Sequence, residues 1–126
     1  REGRSANTPW YQQNLDIDPG CRKNSDVAKL NPIDAKKLGL EDGDDIKITS
    51  PQGQITCQVA LFEGVRPGTV AKAFGQGHWA YGRIASKKFG KQAKGGNNND
   101  ILPAALEALS GSAAFYGQIG VRVEKV

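Results

Sequence analysis

The residues best suited to chemistry gather in Gly75-Gln76-Gly77-His78-Trp79-Ala80-Tyr81-Gly82. This stretch holds the chain's one histidine, one of its two tryptophans and a tyrosine among three glycines. Glycine lets a backbone approach a flat ligand closely, and aromatics with polar tips can close over it. The same stretch also suits a loop in which Trp79 caps the core. Two further loops are rich in hydrogen-bonding groups: residues 3–12, with Arg4, Ser5, Asn7 and Trp10, and residues 95–100, Gly-Gly-Asn-Asn-Asn-Asp. Asparagine offers paired donor and acceptor atoms that match a pterin or purine edge. Arginine forks onto phosphate or a purine edge, and glycine-rich amides with lysine suit phosphate. Together the three loops suit a large, anionic, heteroaromatic ligand.

Autonomous catalysis is not expected, and no catalytic or metal-ligating residue is assigned. His78 is the only histidine, and no serine sits in a GxSxG frame. The acidic residues at 41–45 read as a solvated turn and not as a paired-carboxylate site. A phosphate-binding P-loop is absent, and Gly75-x-Gly77 lacks the third glycine and the βαβ unit of a dinucleotide fingerprint. The two cysteines, Cys21 and Cys57, form no CxxC or Cys/His cluster of the kind that holds zinc. Cys57 lies in an alternating pattern and is expected in the core.

The charge is unevenly spread. Between Arg83 and Lys94 there are five basic residues and no acid, while the remainder has twelve basic and thirteen acidic residues. The segment suits a solvated loop, an anion site or an acidic partner. With 126 residues the chain is one domain, 1–126, and no apolar run reaches the length of about 18 residues that a membrane helix needs.

The elements that must position these loops are short. Val27–Leu30 reads as a strand. Asn31 is a good N-cap for a helix beginning at Pro32, with Asp34 early, Lys36 and Lys37 late, and Gly39 as the stop. Ile33 and Leu38 are expected to form its buried side. Residues 45–50 and 54–61 alternate with period two and predict a hairpin across Pro51-Gln52-Gly53. Thr69–Phe74 is a further strand that runs into the glycine-aromatic loop. Ile101–Leu109 predicts a helix, with Asp100 as N-cap and Leu102, Leu106 and Leu109 on one face. Residues 113–116 and 119–126 read as closing β structure. Strands at this spacing, with turn punctuation between them, point to a small barrel.

The ordered strings Asn31-Pro-Ile-Asp-Ala-Lys-Lys-Leu-Gly-Leu-Glu-Asp-Gly-Asp44, Ile46-Lys-Ile-Thr-Ser-Pro-Gln-Gly53 and Glu63-Gly-Val-Arg-Pro-Gly-Thr-Val70 carry a resemblance. The flanks agree with them: Gly3-Arg-Ser-Ala-Asn-Thr-Pro-Trp10, Gly77-His-Trp79, Asn98-Asn-Asp-Ile-Leu-Pro103 and Val121-Arg-Val-Glu-Lys125. In this order the chain resembles the molybdopterin-dinucleotide-binding domain, the C-terminal part of catalytic subunits in the dimethyl-sulfoxide-reductase family of molybdenum and tungsten oxidoreductases.

The resemblance implies a mainly β fold, a double-psi β-barrel of six or so strands with two or three short helices. It implies binding of the bis(molybdopterin guanine dinucleotide) cofactor of molybdenum or tungsten. Arg4, Ser5, Asn7 and Trp10 would lie along the cofactor. Gly77, His78 and Trp79 would meet the pterin side. Asn98, Asn99 and Asp100 would hydrogen-bond pterin or guanine groups, and Tyr116 and Gln118 would add contacts from the closing segment. His78 is then a hydrogen-bonding contact and neither a metal ligand nor a base. The metal ligand and the iron-sulfur cysteines of the family lie in other domains, so the chain is expected to be a C-terminal fragment that works with the remainder of the catalytic subunit. An iron-sulfur electron-transfer subunit is the expected further partner, with no nucleic acid and no direct membrane insertion. Within the family the loops look most like subunits that reduce sulfur or arsenic oxyanions, which favours the periplasm and leaves the cytoplasm open. Two alternatives differ in class: a basic nucleic-acid-binding barrel using residues 83–94, and a free-standing small subunit of a molybdenum or tungsten enzyme.

Overall fold

The computed structural model describes residues 27–74, 96–112 and 119–126. Five strands and one α-helix lie within them: β1 (Val27–Leu30), α1 (Pro32–Leu38), β2 (Asp45–Thr49), β3 (Gln54–Leu61), β4 (Val70–Lys72) and β5 (Arg122–Lys125). The strands form one sheet in the order β4-β1-β3-β2-β5. β1 runs parallel to β3, and the other three pairings are antiparallel. The mainly β class expected from the sequence is therefore what the described residues show.

Period-two alternation sorts the strands into faces. Ala28, Leu30, Ile46, Ile48, Ile55, Cys57 and Val59 all turn to one side and form the core with Ala35, Leu40 and Ile101. Register makes this possible: Ile46 stands opposite Cys57 and Ile48 opposite Ile55, so apolar side chains meet across the ladder. Ile46 and Ile48 are fully buried, and burial of such a side chain stabilises the fold by about 1.5–3 kcal/mol. On the other face Lys47 reaches Glu124 at 3.5 Å, and these residues are cross-strand partners.

Helix α1 begins as its sequence predicts. The Asn31 side chain accepts from the Ile33 amide at 3.0 Å, Pro32 opens the first turn, and Gly39 closes the helix at φ 66°. Its buried side differs from expectation. Ala35 is buried, while Ile33 and Leu38 are 57% and 45% exposed. Five residues along a helix advance about 140° past one full turn, so Ile33 and Leu38 cannot share one apolar stripe. The helix is held by polar staples instead. Asn31 Nδ2 donates to the Val65 carbonyl at 2.8 Å, and the Gly68 amide donates to Asp34 at 2.5 Å.

The acidic turn before β2 is used in the same way. Asp42 accepts from the Leu61 amide at 2.7 Å, and Asp44 accepts from the Glu41 amide at 2.8 Å and from Lys125 at 2.7 Å. The Lys125 ammonium and the Glu41 amide hold the Asp44 carboxyl below the ordinary carboxylate value, and Asp44 raises Lys125 in turn. These carboxylates close turns and do not face one another as an acid–base pair.

The predicted helix over Ile101–Leu109 does not form. A single 3-10 turn occupies Asn98–Asp100, one step earlier, with Asn97 and not Asp100 as its cap. Pro103 disfavours helical geometry at Leu102. Further on, the Glu107 carboxylate takes the amides of Leu109 and Ser110 and the Ser110 hydroxyl, which holds its pKa down and fixes a turn closed by Gly111. Leu106 and Leu109 are 70% and 96% exposed, so no apolar face is available to stabilise a helix there. β4 and β5 are shorter than the alternating runs that predicted them.

Candidate functional site

The segment Gly96–Ile101 is the one place where predicted ligand-binding residues and the described structure coincide. Asn97 turns its side-chain oxygen onto the Asn99 amide at 3.1 Å and so starts the turn. Backbone bonds from Asp100 to Asn97 and from Ile101 to Asn98 complete it, at 3.0 and 3.1 Å. Ile101 then drops into the core and anchors the exit.

Three side-chain bonds fasten this turn to the sheet. Lys72 Nζ donates to the Gly96 carbonyl at 3.0 Å. Asn98 Nδ2 donates to the Ala73 carbonyl at 3.2 Å. Ser50 Oγ donates to the Ile101 carbonyl at 2.8 Å. Two glycines let the backbones meet. A Cβ on Gly53 would lie 2.5 Å from the Asp100 carbonyl oxygen, and one on Gly96 would lie 2.8 Å from Cβ of Ile55. The turn thus sits directly on the β2–β3 hairpin and against the end of β4.

Of the three predicted residues here, Asn99 and Asp100 are exposed and Asn98 is half-buried. Asn98 is the distinctive one. The Ala73 carbonyl can only accept, so the amide nitrogen of Asn98 must face it. That leaves Oδ1 as a pure acceptor. Oδ1 is buried and has no hydrogen-bond partner among the described residues. Leaving such a group unsatisfied costs about 1–3 kcal/mol, and an N–H donor brought to it removes the cost. A pterin or guanine edge carries such donors and a phosphate does not, so the residues present fit the heteroaromatic parts of the expected cofactor. Thr49 Oγ1 is the other unpartnered buried side-chain atom among the described residues, on β2 opposite Gln54 and Arg122.

Asn98 lines a cavity of about 360 Å³ whose described wall is otherwise apolar apart from Lys72, with Ile48, Val70, Ala71, Ile101, Leu102, Ile119 and Val121. That size falls in the range of ligand sites. A larger open cleft of about 700 Å³ lies between α1 and β5. Among the described residues its charged groups lie in ion pairs, Lys37 with Asp34, Arg122 with Glu124 and Lys125 with Asp44.

The remaining predicted contacts, Arg4, Ser5, Asn7, Trp10, Gly77, His78, Trp79, Tyr116 and Gln118, lie outside the described residues, as do Cys21 and the basic segment 83–94. β4 ends at Lys72 and the described segment at Phe74, so Gly75, the first residue of the glycine-aromatic stretch, follows directly in sequence. Sequence reasoning missed Lys72 and Ser50. For Lys72 a signal existed: it shares strand parity with Val70, so the period that turns Val70 inward turns a lysine inward too.

The comparisons with known proteins agree on the family. The molydopterin dinucleotide binding domain matches residues 5–119. Over its whole length the chain is 64% identical to an arsenate respiratory reductase molybdopterin-containing subunit of Shewanella sp. (strain ANA-3), of which it spans 15%. The like-named subunit of Chrysiogenes arsenatis is 50% identical over 99% of the chain, again 15% of that subunit. The acetylene hydratase of Pelobacter acetylenicus shares the fold, with a TM-score of 0.68 over 90% of this chain and 16% of that one, at 21% identity. The chain belongs to the molydopterin dinucleotide binding domain family.

Proposed function

We propose that this chain holds the molybdopterin guanine dinucleotide cofactor within the catalytic subunit of a molybdenum oxidoreductase that reduces an arsenic oxyanion. The observation that carries the binding role is Asn98 Oδ1, a buried acceptor without a partner among the described residues, on a turn fastened at both ends. The arsenic substrate rests on the two relatives that match nearly the whole chain.

The bound group supplies the redox chemistry; this chain supplies binding and orientation. Asn98 would accept from a ring or exocyclic N–H. Asn99 and Asp100, on the outer side of the same turn, would take further donors. His78 and Trp79 would enter from the end of β4, and Arg4, Ser5, Asn7 and Trp10 would run along the dinucleotide. The domain is residues 1–126, and its fold is a double-psi β-barrel, a reading supported by the parallel β1–β3 pairing inside an otherwise antiparallel sheet. The remainder of the catalytic subunit completes the cofactor site, and an iron-sulfur subunit delivers electrons.

The test is to express the full subunit with His78→Ala or Asn99→Ala and measure bound molybdenum and pterin. A lost hydrogen bond of about 1–3 kcal/mol weakens binding by roughly 5- to 150-fold, so both variants should purify with less cofactor. Unchanged content in both would remove the site assignment.

A further inference from the structure

We propose that Lys72 is a positioning residue for the cofactor, acting through the asparagine turn; this rests on the reading that the turn contacts the cofactor. Lys72 stands directly opposite Ala28 in the β1–β4 ladder, and Ala28 is fully buried. Residues opposite each other in an antiparallel pair share a face. The lysine is therefore on the core side of the sheet, an unusual place for an ammonium. Its Nζ reaches the Gly96 carbonyl at 3.0 Å.

The consequence is geometric. Gly96 is buried and pressed on Ile55, and two residues later comes Asn98. Lys72 fixes the entrance of the turn, Ala73 takes the Asn98 amide nitrogen, and Ser50 fixes the exit at Ile101. Lys72 and Ala73 are consecutive, so the last residue of β4 and the one after it set both the height of the turn and the rotation of the Asn98 amide. Without the ammonium the Gly96 carbonyl loses this donor, the turn entrance is held less firmly, and Asn98 Oδ1 is less narrowly placed. A charged donor to a carbonyl is stronger than a neutral one, which accounts for lysine at an inward strand position. Holding a group within about half an ångström of its working position is what such supporting contacts contribute to a site.

The experiment uses the full catalytic subunit loaded with cofactor. Four variants are compared with the wild type: Lys72→Met, Lys72→Arg, Asn98→Ala and the double variant Lys72→Met/Asn98→Ala. The readout is the rate at which guanine dinucleotide is lost after dilution. Lys72→Met should release it about tenfold faster, as expected for loss of about 1.4 kcal/mol. Lys72→Arg, whose guanidinium can reach the same carbonyl, should restore the rate to within about twofold of the wild type. The double variant should be no faster than Asn98→Ala alone, because both changes act on one contact. If Asn98→Ala keeps wild-type retention, the reading of the turn as a cofactor contact fails. If Asn98→Ala releases faster and Lys72→Met does not, only the positioning role fails. Additive effects in the double variant would also overturn it. Should Lys72→Met not fold, Lys72→Gln, which keeps a polar but shorter and uncharged side chain, takes its place, and wild-type retention in that variant overturns the proposal.

Discussion

Gly96→Ala should produce a large combined loss of stability and cofactor. The added methyl would lie 2.8 Å from Cβ of Ile55, 3.1 Å from the Thr56 carbonyl oxygen and 3.3 Å from Cδ1 of Ile55. Neither the β3 backbone nor a Cβ attached to it can swing aside, so the turn must lift. Overpacking of this kind costs about 1–3 kcal/mol. Lifting also breaks the Lys72–Gly96 bond and moves the Asn98 amide off the Ala73 carbonyl. Bound guanine dinucleotide per subunit should fall at least about tenfold, with a visible drop in melting temperature. Gly120→Ala is the matched control: a Cβ there meets nothing within 4 Å, and its effect on stability should stay within about 0.5 kcal/mol.

Asn31→Ala should give the largest loss of stability with no direct effect on the site. Asn31 is the one polar residue buried as a whole among the described residues, and its side chain makes two kinds of bond. Oδ1 caps α1 through the Ile33 amide, a contact worth about 1 kcal/mol. Nδ2 donates to the carbonyls of Val65, at 2.8 Å, and Glu63, at 3.4 Å. Removing it leaves the buried Val65 carbonyl without this donor, at a further cost of about 1–3 kcal/mol. Together the loss is about 2–4 kcal/mol, which for a chain of this size lowers the melting temperature by roughly 6–16 °C. Asn31→Ser keeps the cap and cannot span to Val65, so it should show only the second part. Thermal unfolding followed by circular dichroism reads both values, and equal losses in the two variants would place the whole effect in the contacts to Val65 and Glu63.

These two residues show which parts of the molecule could be read from its sequence. The strings that carry the family resemblance, Asn31–Asp44 and Glu63–Val70, turn out to build the fold. Asn31 staples Val65, Asp34 takes the Gly68 amide and Asp42 takes the Leu61 amide. Capping and alternation are local, so α1, the hairpin and Cys57 in the core were legible. The helix expected after Asp100 was not, because its apolar periodicity has no buried surface to meet: Leu106 and Leu109 face solvent. Of the site, the asparagine run could be singled out as polar and glycine-rich. That Asn98 is left as a pure acceptor and that the Lys72 ammonium ties down Gly96 depend on contacts between residues about 25 positions apart. No local pattern encodes those distances.

On the proposed function, the turn from Asn98 to Ile101 holds the cofactor. Hydrogen–deuterium exchange of the full catalytic subunit, loaded and freed of cofactor, tests it most directly. Bound ligand suppresses local opening where it makes contact. The amides of Asn98–Ile101 should therefore exchange roughly tenfold or more slowly in the loaded subunit, while those of α1 change little. Equal rates at 98–101 in the two states, with protection appearing elsewhere in the domain, would contradict it.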